Sequence, residues 1–599
     1  MKKRSEIPQE ATWKLEDMIE SDEAWESLYA KTKEALEGYQ AFKGHLGESA
    51  DAVYQCLKFD EESTRKTELL YVYARMRSDQ DTAYQKYQDM FGRAQSLSYH
   101  ASELSSYIIP ELLELPQDKL LMFMNSDNGI AHFKRVMEQI IEKKPHTLSG
   151  PLEELLAQSY EATQGAAQIF NMFNNADVKF PAIWNGKGDT VTITHGNFIA
   201  LMESRDRKVR EDAFWGLYGV YKQFQNTIAA TYSAHVKQAV YYAKAKKYSS
   251  SRAHSLAENE VPELVYDNLL AVVRAHLPLL HRYVKIRKQA LKLPELHMYD
   301  LYAPMVEGID LTYSFEEAKE IVKKGLAPLG EEYLSILQEG FDNRWIDVYE
   351  NEAKRSGAYS WGAYGTHPYV LLNFNSTLNH VFTLAHEMGH AIHSYYSDQN
   401  QPYTYAGYKI FVAEVASTCN EALLIRYLMD HASDSREKQY LINHFLESFR
   451  GTLFRQAMFA EFEGIVHKKA ESGESLTAQE LCRVYRQLNI DYFGPEMTVD
   501  EGIDYEWKRI PHFYTPFYVY QYATGFSAAI AISKGILKKE PGALEGYRQF
   551  LSSGCSMPPI ELLKLAGVDM STPKPIEDGM KVFSELLDEF EAIEKNKNM

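Results

Sequence analysis

His386-Glu387-Met388-Gly389-His390 reads H-E-x-x-H, and it lies where Val381, Leu384, Ala385, Met388 and Ile392 recur at steps of 3 and 4 residues, the period of a helix. Positions i and i+4 of a helix project from one face about one turn apart, so imidazoles at 386 and 390 can converge on one metal ion. Glu387 points about 100° around the axis from His386, beside the ion, where it can hydrogen-bond a water without ligating the metal. His386 and His390 are therefore candidate metal ligands and Glu387 a candidate general base, the chemistry of a zinc hydrolase. His393 lies on nearly the same face, yet its distance from His386 is about 10 Å along the axis, too far to share one ion with both ligands. It is expected to be structural or to support a ligand.

A catalytic zinc site takes three protein ligands and keeps one position open. The next helical stretch, Phe411 to Glu421, follows a loop from Asp398 to Gly407 long enough to bring it beside the first. Glu414 stands there amid Val412, Ala413, Val415 and Ala416, where an acid is costly to bury without a partner, and a zinc ion would supply one. Glu414 is thus the expected third ligand. Glu421, two turns on along the same face, is placed to hold a ligand imidazole by its distal N–H. A third constellation, His512-Phe513-Tyr514-Thr515-Pro516-Phe517-Tyr518-Val519-Tyr520-Gln521-Tyr522, is rich in phenols. A phenol or imidazole N–H near the metal can donate to the tetrahedral oxyanion of peptide hydrolysis. In a chain with 41 tyrosines, residue type alone selects none of them.

These groups need elements to hold them. From Trp13 to Met172 the sequence reads as successive amphipathic helices. Val178-Lys179-Phe180 and Val191-Thr192-Ile193-Thr194 flank the glycine turn Asn185-Gly186-Lys187-Gly188 as in a hairpin, which places a boundary near His195. Residues 1–195 are read as an N-terminal helical region ending in that hairpin, and residues 196–599 as the catalytic region. Ser314 followed by Glu317 is a capping box opening a helix over Phe315 to Lys324. A second β-like patch from Gly357 to Asn375 brackets the turn-prone Gly365-Thr366-His367 just before the H-E-x-x-H segment. A short sheet there would give an extended peptide an edge to join.

Composition narrows the setting. A chain of 599 residues exceeds a single core, so at least two subdomains are expected. A formal charge of -19 disfavours nucleic acid and anionic lipid as partners. No apolar run reaches the about 18 residues needed to span a bilayer, and the polar residues after Met1-Lys2-Lys3-Arg4 predict no signal peptide. Cys56, Cys419, Cys482 and Cys555 form no C-x-x-C pair, which fits free thiols in a reducing cytoplasm. Nothing resembling a coiled-coil seam argues for assembly, so a monomer or small homo-oligomer is expected.

Several segments together resemble the oligoendopeptidase F branch of the thimet oligopeptidase family of zinc metallopeptidases. They are Thr12-Trp13-Lys14-Leu15-Glu16-Asp17, Ser356-Gly357-Ala358-Tyr359, Pro368 to Phe374, Phe382 to Ala391, Phe411 to Thr418, and His512 with Tyr518 to Gly525. The resemblance implies a mainly α fold, two helical lobes around a deep substrate channel, with a small β-sheet beside the H-E-x-x-H helix. It implies one zinc per chain, held by His386, His390 and Glu414, with Glu387 as catalytic base. It further implies that His512 and a tyrosine, foremost Tyr522, face the zinc and steady the oxyanion; the spacing leaves Tyr514, Tyr518 and Tyr520 as alternatives. The activity implied is that of a zinc endopeptidase cutting internal bonds of short oligopeptides. Two other readings stay open. One is a zinc exopeptidase, a carboxypeptidase or dipeptidyl carboxypeptidase, which would need a cationic pocket with Arg450 or Arg455 as anchor. The other is a peptide-binding scaffold that keeps the motif as packing.

Overall fold

The computed structural model of the chain describes residues 2–126, 129–306 and 311–597. With 71% helix and 3% strand it is mainly α, as expected. By its internal contacts the chain divides into two compact units built from interleaved segments. The first comprises Met1–Gly150, Leu311–Tyr427 and Ile532–Gly567, and the second Pro151–Asp310, Leu428–Ala531 and Val568–Met599. No helix among the described residues is long and apolar enough to cross a membrane. All four cysteines are free.

In the first unit, residues near the N-terminus are tied to the segment before the H-E-x-x-H helix. The Lys14 N–H donates to Arg344 O (2.9 Å) and the Val348 N–H to Ala11 O (3.0 Å). Trp13 is buried against Tyr359 and Tyr369, with ring centroids 6.2 and 6.3 Å away. Asp347 is fully buried between Arg4 and Lys354, the latter at 2.7 Å. Burial opposes its charge, but the two cations hold the carboxyl below its ordinary range. The core joins Leu70, Tyr73 and Met76 of the Ala50–Gln80 helix to Met90 and Leu97 of the Gln85–Ser105 helix and to Tyr369 and Leu371.

Those last two residues belong to the middle strand of a three-stranded sheet ordered Ile346–Asp347, Tyr369–Leu371, Tyr359–Trp361. The first pair is parallel and the second antiparallel, with Tyr359 opposite Leu371 and Trp361 opposite Tyr369. The N–H groups of Val370 and Leu372 donate to Trp345 O and Asp347 O (2.9 and 2.8 Å). Alternation along the strand then turns the polar groups of Tyr369 and Leu371 toward Tyr359–Trp361. Ser360 is left with its N–H and C=O on the outer edge of a strand that packs against the H-E-x-x-H helix.

That helix, here the motif helix, spans Leu378–Asn400, and the helix bearing Glu414, here the acidic helix, spans Ile410–Asp430. The connection differs from the expected loop over 398 to 407. The motif helix runs past Asp398 to Asn400, where the Gln401 N–H bonds Ser397 O (2.8 Å) before Pro402 ends the ladder. A short helical turn, Tyr403–Ala406, follows. Ser314 and Glu317 form the predicted capping box, with N–H to oxygen distances of 3.2 and 2.8 Å, on a helix spanning Phe315–Gly325.

The second unit holds the expected hairpin, its second strand overlapping the run Val191 to Thr194 and its first displaced beyond Val178-Lys179-Phe180. Its strands are Ala182–Trp184 and Thr190–Thr192, because the Val178 N–H is taken by Phe173 O (2.8 Å) at the end of a π-helical turn. Asn185 Oδ1 accepts from the Lys187 N–H (2.8 Å), and Gly186 and Gly188 supply the positive φ the turn requires. His195, where a boundary was expected, lies inside this unit, its Nε2 against Asn174 O at 3.0 Å.

Candidate active site

The motif helix buries Leu384, Ala385, Met388 and Ile392 and leaves His386 and His390 half-buried on an adjoining face. Their Nε2 atoms stand 3.2 Å apart. Glu414 Oε2 lies 3.3 Å from His386 Nε2 and 3.5 Å from His390 Nε2. Among the described residues this is the one group of three such side chains whose ligand atoms all lie within 4.8 Å of one another. Zinc bonds of about 2.0 to 2.2 Å to nitrogen and oxygen place tetrahedral ligand atoms about 3.3 to 3.5 Å apart. The observed triangle matches one face of such a tetrahedron, and two imidazoles with a carboxylate are a zinc donor set, so the residues fit the metal.

The surrounding groups explain the aim of each ligand. Glu421 Oε1 sits 3.2 Å from His386 Nδ1. A bond at Nδ1 turns the other ring nitrogen, Nε2, toward Glu414 and His390. Burial works against charge on His386, but the two carboxylates hold its pKa up, at about 10. Glu414 is likewise desolvated, yet the imidazoles hold its carboxyl far below the usual range. Ser417 Oγ donates to Glu414 Oε2 (3.2 Å), one turn along the acidic helix.

Glu387 differs from both. It is 7% exposed and, among the described residues, its Oε2 has no hydrogen-bond partner. Burial raises its pKa, and Glu414 and Glu421 add to the rise while the two imidazoles oppose it. A buried carboxyl with an open oxygen is what a general base needs before it receives a water. His393 takes no part: it is buried, stacked on Tyr408 with centroids 3.9 Å apart, and burial lowers its pKa to about 3.

In the second unit, His512 is exposed and meets two of the four candidate tyrosines. Tyr522 OH lies 3.4 Å from His512 Nε2, and the Tyr518 ring stacks on the imidazole at 5.8 Å. The other two point inward. Tyr514 stacks on Phe170 at 4.1 Å with its hydroxyl buried and, among the described residues, unpartnered, and Tyr520 is fully buried beside Tyr266. Arg450 and Arg455, the candidate carboxylate anchors, are each in an ion pair, with Glu447 and Glu506 at 2.7 Å.

Comparison with known proteins now bears on these groups. The profile of peptidase family M3 matches residues 200–582, and that of oligopeptidase F matches residues 111–180. The chain belongs to peptidase family M3. Oligopeptidase PepF of Bacillus subtilis (strain 168) is 49% identical to it over 590 residues, 98% of this chain and 88% of its own. Group B oligopeptidase PepB of Streptococcus agalactiae serotype III (strain NEM316) is 40% identical over 98% of both chains. The crystal structure of oligoendopeptidase-F from Enterococcus faecium matches with a TM-score of 0.75 and 40% identity, over 96% of this chain and 99% of that one. It is therefore an enzyme, a peptidase, and its M3 span contains both the motif helix and the His512 segment.

What sequence reasoning missed in this M3 peptidase is how the two helices come close enough. A Cβ on Gly389 would lie 2.7 Å from Ser417 Cα and 3.0 Å from Ala416 O, so only glycine lets the acidic helix cross there. The fully buried Asn420 ties the crossing: its Nδ2 donates to Ala385 O (2.9 Å), and its Oδ1 accepts from Tyr333 OH (3.0 Å). The available signal was small residues on both helices, Gly389 within the motif and Ala416-Ser417 after Glu414.

Proposed function

We propose that this chain is a zinc-dependent endopeptidase that hydrolyses internal bonds of short oligopeptides in the cytoplasm, with one zinc held by His386, His390 and Glu414. The observation that carries the reading is the triangle of 3.2, 3.3 and 3.5 Å among three donor atoms on two helices, with an unpartnered buried carboxyl oxygen on Glu387 alongside. Relatives named oligopeptidase and oligoendopeptidase support the substrate class.

The chemistry a zinc ion would supply there is Lewis acidity, which lowers the pKa of a water to about 7 and polarises the scissile carbonyl. Glu387 takes the proton of the attacking water and passes it to the leaving amine. Glu421 keeps the His386 proton on Nδ1. His512 and Tyr522 donate hydrogen bonds to the oxyanion, a role that their pairing at 3.4 Å on an exposed face supports. The outer edge of Tyr359–Trp361, where Ser360 presents its backbone groups, suits main-chain pairing with an extended peptide, which reads length and backbone more than side chains. Mass spectrometry of a digested oligopeptide tests the endopeptidase assignment: internal cuts are expected, and C-terminal ladders would make the enzyme an exopeptidase.

A further inference from the structure

The segment carrying His512, Tyr518 and Tyr522 bends through a residue that disfavours the bend. Between the short helix Pro511–Tyr514 and the helix Tyr520–Leu537, Phe517 has φ of +53°, a left-handed conformation in which a bulky side chain is an outlier. Its ring is buried against Tyr266 and His467, with centroids 5.8 and 4.6 Å away.

The peptide group entering that residue is clamped at both ends by side chains from other helices. The Phe517 N–H donates to Glu463 Oε1 at 2.6 Å, and Pro516 O accepts from Ser255 Oγ at 2.7 Å. Those two atoms belong to one peptide plane, so the pair of bonds fixes its orientation and opposes a flip that would release Phe517 from positive φ. Glu463 is 1% exposed on the Arg455–Glu471 helix between Phe462 and Val466. Its Oε2 has no partner among the described residues. Burial pushes its carboxyl up to about 8, with only the Phe517 N–H opposing the shift. An acid without a cation is unfavourable at such a site, and leucine would pack there without that cost. What the acid supplies is an acceptor for an amide that the bend deprives of backbone partners.

The bend separates His512 on one side from Tyr518 and Tyr522 on the other, whose rings lie 5.5 Å apart. We propose that Glu463 is a positioning residue: with Ser255 it holds the Pro516–Phe517 peptide, and so sets the bend that brings the Tyr522 phenol to the His512 imidazole. This rests on the reading that His512 and Tyr522 hold the oxyanion. A misplaced oxyanion donor weakens the transition state and leaves substrate binding alone, so the signature is a loss in kcat with KM unchanged.

The test compares kcat, KM and zinc content of the full chain with Glu463→Leu, Glu463→Gln, Ser255→Ala and Tyr522→Phe, using a quenched fluorescent oligopeptide. Glu463→Leu is expected to lower kcat about tenfold or more and Ser255→Ala about threefold, with KM within about twofold and zinc retained. Glu463→Gln keeps an oxygen acceptor and should stay within about twofold of wild type. In the Tyr522→Phe background both losses should vanish, because the pair they position is already broken. Equal losses in both backgrounds, or a glutamine variant as poor as the leucine one, would overturn the proposal. Should Glu463→Leu fail to fold, Ser255→Ala and its double variant decide alone. Full kcat in Tyr522→Phe and in His512→Ala would sink the oxyanion reading and this inference with it. Loss in those two without loss in Ser255→Ala and Glu463→Leu would sink this inference only.

Discussion

At His386, His390 and Glu414 the polar side chains satisfy one another across two helices, and Gly389 and Asn420 hold the crossing. At His512 and Tyr522 the polar pair straddles a bend, and its spacing depends on a peptide held by the buried Glu463. In the first region geometry follows from helical repeat, so each ligand is positioned by its own element. In the second it follows from a single disfavoured φ, so the residues that matter most need not touch the reacting atoms. Regular elements suit a metal that tolerates little error in distance, and a clamped bend suits donors that engage only as charge develops.

The sharpest break of this comparison is removal of a ligand. His390→Ala should lose both bound zinc and peptidase activity to background, measured by metal content and cleavage, while His512→Ala should keep the metal. Next in size, Tyr522→Phe should lower kcat about 10² to 10³ fold with zinc retained, the cost typical of one oxyanion donor. Tyr514→Phe, which removes a buried hydroxyl with no partner, should stay within about threefold in kcat. Equal losses in the two would show that the exposed face selects nothing.

Gly389→Ala acts on the helix crossing. The added methyl meets backbone of the acidic helix, so the helices must part, at a cost of about 1 to 3 kcal/mol in denaturant unfolding and with faster zinc loss to a chelator. A variant as stable as wild type would remove the close approach from the account.

A separate effect, on stability alone, concerns pH. Asp398, in the last turn of the motif helix, has its pKa raised to about 7 by burial and then by the neighbouring Glu68 carboxylate, which itself meets Tyr403. A carboxyl with a higher pKa folded than unfolded gives the native state extra protons, so stability falls as pH rises from about 4 to about 7 and then levels off. Asp398→Asn should therefore be more stable than wild type at pH 8 and no more stable at pH 4, read by thermal unfolding at both.

How much of this was legible follows the same division. The period of Val381, Leu384, Ala385, Met388 and Ile392 places the motif helix and its two histidines, and an acid among Val412, Ala413, Val415 and Ala416 marks Glu414. The capping box at Ser314 marks a helix start. These are local signals. Contacts between distant segments carry none: Trp13 packs on Tyr369, and Gly389 meets Ser417, through pairings that no single stretch announces. The second hairpin strand, Thr190–Thr192, falls on the expected β-branched run, but the first lies beyond Val178-Lys179-Phe180 because the end of the preceding helix takes the Val178 amide. Phe517 has no sequence mark of a positive φ, which glycine or asparagine would have shown, so neither the bend nor the role of Glu463 could be read in advance.

The most direct test of the central claim is zinc content of the purified protein together with oligopeptide cleavage before and after a chelator, with Glu387→Gln as control. One zinc per chain is expected, with cleavage abolished by the chelator and restored by zinc, and a variant that keeps its metal while kcat falls about 10² to 10⁴ fold. Cleavage that survives full metal removal, or a Glu387→Gln enzyme of undiminished kcat, would contradict the claim.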